Sequence, residues 1–396
     1  MTRTIPQEPA LAPATSRFVE KLGGTRLPCL DGLRGIAAYL VVLTHMHVWA
    51  FDHYAPGNWG PFGVNVFFVI SGFLITHLLI GEFERNSAVS LKRFYIRRTL
   101  RIFPAFYVYW TVTLVLAIAL HKKFDRWEPL AAFFYIGDYY QAFFNSDNSI
   151  MGITWSLGVE EKFYLLWPAA FVALLGKWSK LFKCCLGAVA LIWLHKLILL
   201  YVVHTPFRHF KYAFDTRVDV ILIGCALALA TRLPRAQAWF GALARRAWYC
   251  LPTIVLLIAT VVAAPPFNSA LVPAYFTYVM PVQILLLPVL FVQLISWSDH
   301  PLIRPLNSRP ARVLGDLSYG VYLYNYSLLW LTQRYLTTRL HSGLRELTEL
   351  LLPLLAAYVS FRLVEQPFLR LKQRFSAQGH PQLEDDRRFS PTVPTT

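Results

Sequence analysis

The first long apolar segment begins with Pro28-Cys29-Leu30-Asp31-Gly32-Leu33-Arg34-Gly35 and ends with Thr44-His45-Met46-His47 before Phe51. It is long enough to cross a bilayer as a helix, which takes roughly 20 residues. Arg34 and His45 are eleven residues apart, close to three turns of about 3.6 residues, so both lie on one face. The rise between them is ~16 Å, about half of a ~30 Å hydrocarbon core. Because ionisable groups in hydrocarbon are costly, this face is expected to line the interior of a bundle.

The composition indicates a membrane protein. Of the 396 residues, 56% are hydrophobic and 15% are charged, whereas soluble domains have about 25% charged residues. Long apolar segments recur along the chain, so we predict an all-α, polytopic integral membrane protein with a bundle of about ten transmembrane helices. The expected spans are 32–51, 62–81, 104–120, 153–175, 184–203, 215–231, 248–264, 274–297, 313–333 and 347–366.

The basic residues predict the orientation of these spans. Loops on the side of the N-terminus carry 25 Lys and Arg residues and the opposite loops carry 8, so both termini are expected in the cytoplasm. This asymmetry also accounts for the net charge of +16, and no nucleic-acid partner is expected. Residues 1–27 form a polar segment expected to be disordered, residues 28–370 the transmembrane domain, and residues 371–396 a polar cytoplasmic tail.

His45 is the first candidate for chemistry. Its imidazole can take a proton from a hydroxyl near neutral pH, which suits a general base. The alternative is a structural histidine held by hydrogen bonds between helices, and Arg34 on the same face favours the functional interpretation. No metal site is expected, because no second His, Cys or carboxylate lies three or four positions from His45.

Three arginine residues, Arg97, Arg98 and Arg101, precede Pro104. Spacings of three and four residues on a helix place their guanidinium groups on one side. Such a cluster suits a polyphosphate ligand. A cytoplasmic anchor to anionic lipid headgroups fits the same pattern equally well.

Acidic residues begin two later spans. Glu160 and Glu161 follow Trp155 and Ser156, at the end of the fourth span expected to lie outside the cytoplasm, and could orient a base or bind sugar hydroxyls. The alternative is a pair of acids at the membrane interface. In the sixth span Arg217 lies on a different face from Asp215 and Asp219, so partners on other helices are expected, and a structural role is favoured there.

Several of these motifs occur together in one family. They are Asp31-Gly32-Leu33-Arg34-Gly35 with His45, Phe67-Phe68-Val69-Ile70-Ser71-Gly72-Phe73-Leu74-Ile75, Arg97-Arg98 through Pro104, Trp155-Ser156-Leu157 through Glu160 and Phe163-Tyr164, Leu317-Ser318-Tyr319-Gly320-Val321-Tyr322-Leu323-Tyr324, and Val364-Glu365-Gln366-Pro367. In this order they resemble the membrane acyltransferase-3 family, whose members are multi-spanning O-acyltransferases of surface polysaccharides and related acceptors. The block after Ser318-Tyr319 often carries a histidine where this chain has Asn325.

The resemblance implies an integral enzyme of the bacterial inner membrane that moves an acyl group, most often acetyl, to a sugar hydroxyl. It implies that His45 serves catalysis with support from Arg34, that the arginine loop handles acyl-CoA (acetyl-CoA), and that Glu160 lies near the acceptor. Acyl-CoA is then a substrate, and no permanently bound cofactor is expected. The expected acceptor is a glycolipid, lipopolysaccharide or exopolysaccharide. Residues expected to be acceptor-side or structural are Asp31, Trp155, Ser156, Arg217, Asp219 and Tyr319.

A second class of protein fits the same residues. Intramembrane His, Arg and Asp side chains also build the proton relays of transporters. A proton-coupled transporter is therefore the alternative, and acyl-CoA binding separates the two.

Overall fold

The computed structural model describes residues 16–23, 27–46, 58–144, 149–265, 269–336, 341–373 and 375, and these form helices and connecting turns without strands. The α-helices are α1 (Arg17–Leu22), α2 (Pro28–His45), α3 (Trp59–Asn86), α4 (Leu91–Ala119), α5 (Trp127–Phe133), α6 (Gly137–Phe143), α7 (Thr154–Ala173), α8 (Trp178–Ile198), α9 (Phe207–Tyr212), α10 (Phe214–Ala230), α11 (Pro234–Leu243), α12 (Cys250–Val262), α13 (Val272–Ala274), α14 (Met280–Ser296), α15 (Arg309–Tyr335), α16 (Ser342–Ser360) and α17 (Gln366–Gln373). Wider π-helical turns follow α8, α13 and α16 at Leu199–Val203, Tyr275–Val279 and Phe361–Glu365.

Among the described residues, five helical segments are long and apolar enough to cross a membrane. They are Trp59–Asn86, Leu91–Ala119, Trp178–Val203, Val272–Ser296 and Gly343–Lys372, and a pair bent by 89°, Pro234–Leu243 with Ala247–Val262, makes a sixth if it is one span. The all-α, polytopic membrane fold is thus confirmed, while the number of ten spans stays a prediction. Helices also stand at the other predicted spans, and they fall outside this group because they are shorter or carry more charged residues.

Glycines set the closest helix contacts. α2 packs on α15, and α3 packs on α10. A Cβ atom on Gly315 of α15 would collide with the backbone oxygen of Asp31, and one on Gly72 would collide with that of Ile221. Small residues let helix backbones approach this closely where apolar burial alone drives no association in lipid. The Asp31-Gly32-Leu33-Arg34-Gly35 motif is therefore a packing surface as well as a source of charge.

Two polar pairs define the ends of the bundle. Near the starts of α3 and α10, Arg217 Nη2 donates to Asn65 Oδ1 at 2.6 Å, and near their ends Arg232 Nη2 donates to Glu84 Oε2 at 2.7 Å. The two helices therefore run parallel. Thr44 faces Gly60 at the start of α3, so His45 belongs to this same end, which we call the His45 end. The end with Arg232 is called the arginine end.

The N-terminal segment differs in part from the prediction. Arg17–Leu22 forms a helix whose Phe18 is 1% exposed and packs edge-on against Phe240 at 4.9 Å between ring centroids. The expected disorder of residues 1–27 is therefore wrong for α1, because its aromatic side chain fills a gap in the core. α17 likewise continues past the predicted boundary at residue 370 to Gln373. Residues 1–15 and 376–396, and the predicted end of the first span at 47–51, lie outside the described residues.

Candidate functional site

A cavity of about 170 Å³, lined by both polar and apolar side chains, lies inside the bundle toward the arginine end. We call it the arginine cavity. α2, α3, α4, α7 and α15 contribute to its wall, together with the π-helical turn after α16 and with α17, so it exists only in the folded bundle. Its polar lining consists of Arg34, Ser71, Arg98, Arg101, Ser156, Glu160, Tyr164, Asp316, Tyr319, Tyr322 and Glu365.

Two of the predicted arginines reach this cavity from α4. Arg98 and Arg101 are three residues apart and therefore share one face of the helix. The guanidinium group of Arg98 lies over the ring of Tyr164, 4.6 Å from its centroid, a cation–π contact that holds the group in place. Arg101 is exposed, so the cavity opens at its side chain. Arg34 joins them from α2, whereas His45, predicted on the same face, does not line the cavity.

Arg97 does not belong to this group. Its Nη2 atom lies 2.8 Å from Glu82 Oε2 at the end of α3, and its Nη1 atom donates to the backbone oxygen of Phe375 at 3.3 Å. The expectation that three guanidinium groups face one ligand is therefore wrong for Arg97. The physical reason is the largely buried carboxylate of Glu82, which needs a cation beside it.

Glu160 lies deeper than expected. Its Oε1 atom accepts a hydrogen bond from Ser71 Oγ at 2.7 Å, and the hydroxyl of Tyr164 donates to the same Ser71 oxygen at 3.1 Å. α7 begins at Thr154, so Glu160 is about 9 Å further along the helix at roughly 1.5 Å per residue. Its carboxylate therefore shares the cavity with Arg34 and the α4 arginines. The expected position at the outer surface near an acceptor is corrected accordingly.

A layer of side chains closes the cavity toward the His45 end. The hydroxyl groups of Ser156 and Tyr322 lie 2.5 Å apart, and the ring of Tyr322 meets Phe67 edge-on at 6.0 Å. We call these three residues the floor. Tyr319 lines the cavity one turn before Tyr322 and donates to the backbone oxygen of Ile102 at 3.1 Å. The floor is thus made of hydroxyl and aromatic groups without a formal charge.

His45 lies beyond this floor and does not line the cavity. Its Nδ1 atom is 2.8 Å from Oδ1 of Asn325, and its ring meets Tyr326 edge-on at 5.4 Å. The amide nitrogen of Asn325 donates to the backbone oxygens of Val321 and Tyr322, which turns its oxygen toward His45. His45 therefore donates from Nδ1, and the lone pair of the neutral ring is on Nε2. Asn325, the departure from the family pattern, is the residue that orients the imidazole.

The remaining predicted residues have structural surroundings. Arg217 is 1% exposed and lies between aromatic rings, including those of Phe68 and Trp155 at 5.8 and 5.7 Å. Asp219 Oδ2 accepts from the Nζ atom of Lys196 at 2.6 Å, both side chains being buried. The expectation that both residues find partners on other helices is confirmed. Asp31 is half-buried against α15 and outside the cavity.

Glu128, in the connection between α4 and α7, supports the His45 end. Its Oε1 atom accepts from the backbone N–H of Met151, and its Oε2 atom accepts from that of Ile150, both at 3.0 Å. Burial raises the pKa of Glu128 above its ordinary value, although these hydrogen bonds oppose the change. The segment that Glu128 holds meets Tyr326, whose hydroxyl donates to the backbone oxygen of Ser149 at 3.5 Å. The ring against His45 is thereby braced from the connection.

Three residues of this site were missed by sequence reasoning. Ser71 has the size of a packing residue, and only its hydrogen bonds with Glu160 and Tyr164 give it a polar role. Glu365 and Asp316 stand within or beside predicted spans, and an acid at such a position is itself a signal of a polar interior. Asp316 and Glu365 meet Arg34 only because α15 and the π-helical turn after α16 pack beside α2. The spacing of residues along one helix cannot predict such packing.

The bundle and its buried polar cavity define a multi-pass helical membrane protein with an internal site. The chain belongs to the acyltransferase family: the family model described as "Acyltransferase domain" matches residues 27–363. It is 31% identical over 373 residues to the peptidoglycan O-acetyltransferase OatA of Listeria monocytogenes, a match that covers 89% of this chain and 57% of that protein.

Two further relatives match in the same way. The putative peptidoglycan O-acetyltransferase YrhL of Bacillus subtilis is 30% identical over 326 residues, covering 77% of this chain and 49% of its own length. The O-acetyltransferase OatA of Staphylococcus aureus is 28% identical over 373 residues, covering 88% and 58%. The chain thus spans about half the length of these relatives. No solved structure matches it.

Proposed function

We propose that this chain is a membrane O-acetyltransferase that takes an acetyl group from acetyl-CoA and delivers it to a hydroxyl of a sugar-containing acceptor. The observation that carries the proposal is the meeting of Arg34, Arg98 and Arg101 with Glu160 in one cavity, separated by one layer of side chains from an oriented histidine. The names of the relatives indicate acetyl as the acyl group and a sugar polymer as the class of acceptor.

The cavity suits one end of the donor. Its volume of about 170 Å³ is below the roughly 300–1,000 Å³ of sites that enclose a whole drug-sized ligand. Only the thioester and its flexible arm would enter, and the phosphates would remain at the mouth beside exposed Arg101. A planar guanidinium group binds phosphate through two parallel hydrogen bonds. Arg98, held over Tyr164, adds a second fixed donor on the wall.

His45 then supplies general-base catalysis. For this step the side chains of the floor move aside, so that the thioester passes from the cavity to His45. The acceptor hydroxyl then gives its proton to Nε2 of His45, its oxygen attacks the thioester carbonyl carbon, and the carbon–sulfur bond breaks. The imidazolium returns the proton to the departing thiolate of coenzyme A, so the ring ends neutral. Transfer of the acetyl group first to Nε2 and then to the acceptor is the stepwise version of the same reaction. In either version Asn325 keeps the proton on Nδ1.

The acceptor side is assigned to the His45 end. We propose that this end faces away from the cytoplasm of a bacterial inner membrane, with the arginine end and both termini in the cytoplasm, as the basic loops favour. Relatives named for peptidoglycan make a cell-wall or surface glycan the first acceptor to test, before exopolysaccharide, lipopolysaccharide or a glycolipid.

The test uses full-length protein in lipid nanodiscs with acetyl-CoA labelled in the acetyl group. Acetyl-CoA is expected to raise the thermal midpoint and to lose its label to glycan fragments. His45→Gln should keep the thermal response and lose transfer by at least roughly 100-fold, the lower range for a general base. Mass spectrometry of surface glycans from cells with and without the chain should show the mass of one acetyl group per modified site.

Two results would contradict parts of this proposal. No thermal response to acetyl-CoA, together with proton-dependent flux in liposomes, would replace the enzyme with the transporter alternative. Full transfer activity in His45→Gln would leave the enzyme in place and remove the catalytic assignment of His45.

A further inference from the structure

A second group of chemistry-bearing side chains lies at the His45 end, outside the arginine cavity. It consists of His195 on α8, His209 on α9 and Asp215 in the first turn of α10. Nε2 of His195 and Nε2 of His209 lie 2.9 and 2.8 Å from the same oxygen, Oδ2 of Asp215. Three successive elements thus direct two imidazole nitrogens and one carboxylate oxygen to a single point.

We infer that this group is a binding site for a divalent first-row metal ion of the zinc class. Two imidazoles and one carboxylate form one of the common ligand sets of such ions, with a remaining position for water. The three donor atoms lie within 4.8 Å of one another. Ligand atoms around a tetrahedral zinc ion are ~3.3 Å apart when metal–ligand distances are ~2.0–2.1 Å. Each nitrogen–oxygen separation would open by about half an ångström, which small side-chain rotations provide.

The carboxylate offers a second observation. Oδ1 of Asp215 is buried and has no hydrogen bond of ordinary geometry among the described residues, although the hydroxyl of Tyr139 interacts with this carboxylate. A buried polar oxygen left in this way is costly, and such a group calls for an explanation. A cation between the two rings and Asp215 would lie beside this oxygen and satisfy it. Asp219, one turn later on the same helix, needs no such ion because Lys196 pairs with it.

The site is accessible to an ion from solution. The side chain of His195 is 42% exposed and that of Asp215 is 31% exposed, whereas His209 is 12% exposed. The ion can therefore enter past His195 and end against the more buried ring. Both rings must be neutral to coordinate through Nε2, so binding releases any proton held there.

The geometry also assigns the ion a role. α9 has six residues and is too short to be stable alone. Its His209 belongs to the metal group, and its Tyr212 meets the ring of Trp155 edge-on at 5.3 Å. An ion shared with α8 and α10 would hold α9 against α7, close to Ser156 of the floor. The site is thus a structural one at the end of the bundle where His45 lies, and it stands whether or not acetyl transfer is correct.

The experiment measures metal directly. Protein purified in nanodiscs with a tag free of histidine is loaded with Zn²⁺, dialysed and assayed by inductively coupled plasma mass spectrometry. About one zinc ion per chain is expected for the native sequence. His209→Gln and Asp215→Asn should weaken zinc binding by more than the roughly 10–100-fold that loss of an outer-shell partner costs. His204→Gln, an exposed histidine in the same connection, is the matched control and should bind like the native chain.

Thermal unfolding and cobalt spectra complete the test. Zn²⁺ should raise the midpoint of the native protein and of His204→Gln, and leave that of His209→Gln unchanged. Co²⁺ should give visible absorption bands only where the site is intact. If His209→Gln does not fold, the partly exposed His195→Gln replaces it, with the same expected loss. Equal zinc content in the native protein and the His195 or His209 variant, or none in any of them, would overturn the proposal.

Discussion

Nδ1 of His45 on α2 and Oδ1 of Asn325 on α15 lie 2.8 Å apart, although 280 positions separate them in the chain. The contact rests on the glycine-mediated packing of α2 against α15, so the catalytic assignment and the helix crossing depend on each other. A histidine oriented in this way presents the same nitrogen to a reactant in every molecule, which is the requirement for general-base catalysis.

Asn325 should therefore act as a positioning residue. Asn325→Leu keeps the approximate size and removes the oxygen, so acetyl transfer should fall by roughly 100-fold as the ring loses its fixed orientation. Asn325→Asp retains an acceptor but loses the amide donor to the backbone oxygens of Val321 and Tyr322, so it should recover only part of that loss. Initial rates in nanodiscs measure both. Gln333→Ala is the control, since Gln333 donates to the backbone oxygen of His45, at 3.4 Å. Native activity in Asn325→Leu would contradict the orienting role.

Arg98 should contribute to donor binding, whereas Arg93, which points away from the cavity on the same helix, should not. Arg98→Gln removes a charge-assisted hydrogen bond of about 1.5–3 kcal/mol, so the KM for acetyl-CoA should rise roughly tenfold or more. Arg93→Gln, on the same helix but exposed and outside the cavity, should leave the KM unchanged. If the basic residues of α4 served only to contact anionic lipid, the two variants would behave alike.

The contact between α3 and α10 should tolerate no added methyl group. A Cβ on Gly224 would collide with the backbone oxygen of Val69, so Gly224→Ala should lower the free energy of unfolding by about 1–3 kcal/mol. Gly187 of α8 has open space around its Cβ position, and Gly187→Ala should instead gain about 0.5–1 kcal/mol from helix propensity. Thermal midpoints in detergent compare the two, and a stable Gly224→Ala protein would refute the close crossing.

Glu128 should make stability depend on pH. Its folded pKa is raised by burial, so the folded state holds the carboxyl proton more tightly than the unfolded chain does. Stability is therefore greatest below the ordinary pKa of about 4.3 and falls as pH rises toward the folded value, by at most about 1.4 kcal/mol per pH unit. Glu128→Gln removes this dependence. Melting midpoints from pH 4 to 8 test it, and identical slopes for both proteins would disprove the assignment.

Glu128→Gln also changes the hydrogen bonds of the connection. A glutamine side chain has one acceptor oxygen where Glu128 uses two, so the N–H of Ile150 or Met151 loses its partner. At neutral pH this should cost about 1–3 kcal/mol. Ser149→Ala removes one donor to the same carboxylate and leaves the ionisable group, so it should keep the pH dependence.

Sequence periodicity predicts the all-helical fold and an interior position for Arg34, but His45, predicted on the same face, lies outside the cavity that Arg34 lines. The same reasoning was wrong for Arg97, because a spacing of three or four residues says which side chains share a helix face and not where a buried acid on another helix draws them. Glu160 was expected near the outer surface for a similar reason. Its distance along α7 is readable from the chain, but its hydrogen bond to Ser71 depends on how α7 packs against α3.

The His195, His209 and Asp215 group shows the same limit more sharply. Residues three or four positions apart lie on one face of a single helix, so this spacing can predict only ligands that come from the same helix. These ligands come from three elements, joined by a π-helical turn and a short helix that bring the end of α8 back to the start of α10. The role of Asn325 is likewise apparent only from the packing of α15 beside α2, which brings its side chain to His45.

The floor formed by Phe67, Ser156 and Tyr322 has an electrical consequence. The inside of a cavity that opens at one face of a membrane protein lies close to the electrical potential of the solution at that face. The transmembrane potential then falls mainly across the layer of side chains that closes the cavity, which here is the floor. Each elementary charge driven through such a layer exchanges about 2.3 kcal/mol per 100 mV. An acetyl group that moves past Tyr322, as the proposed function requires, would bear no charge, so the resting voltage would neither drive nor oppose that step, whereas a nucleotide phosphate would be subject to the full field.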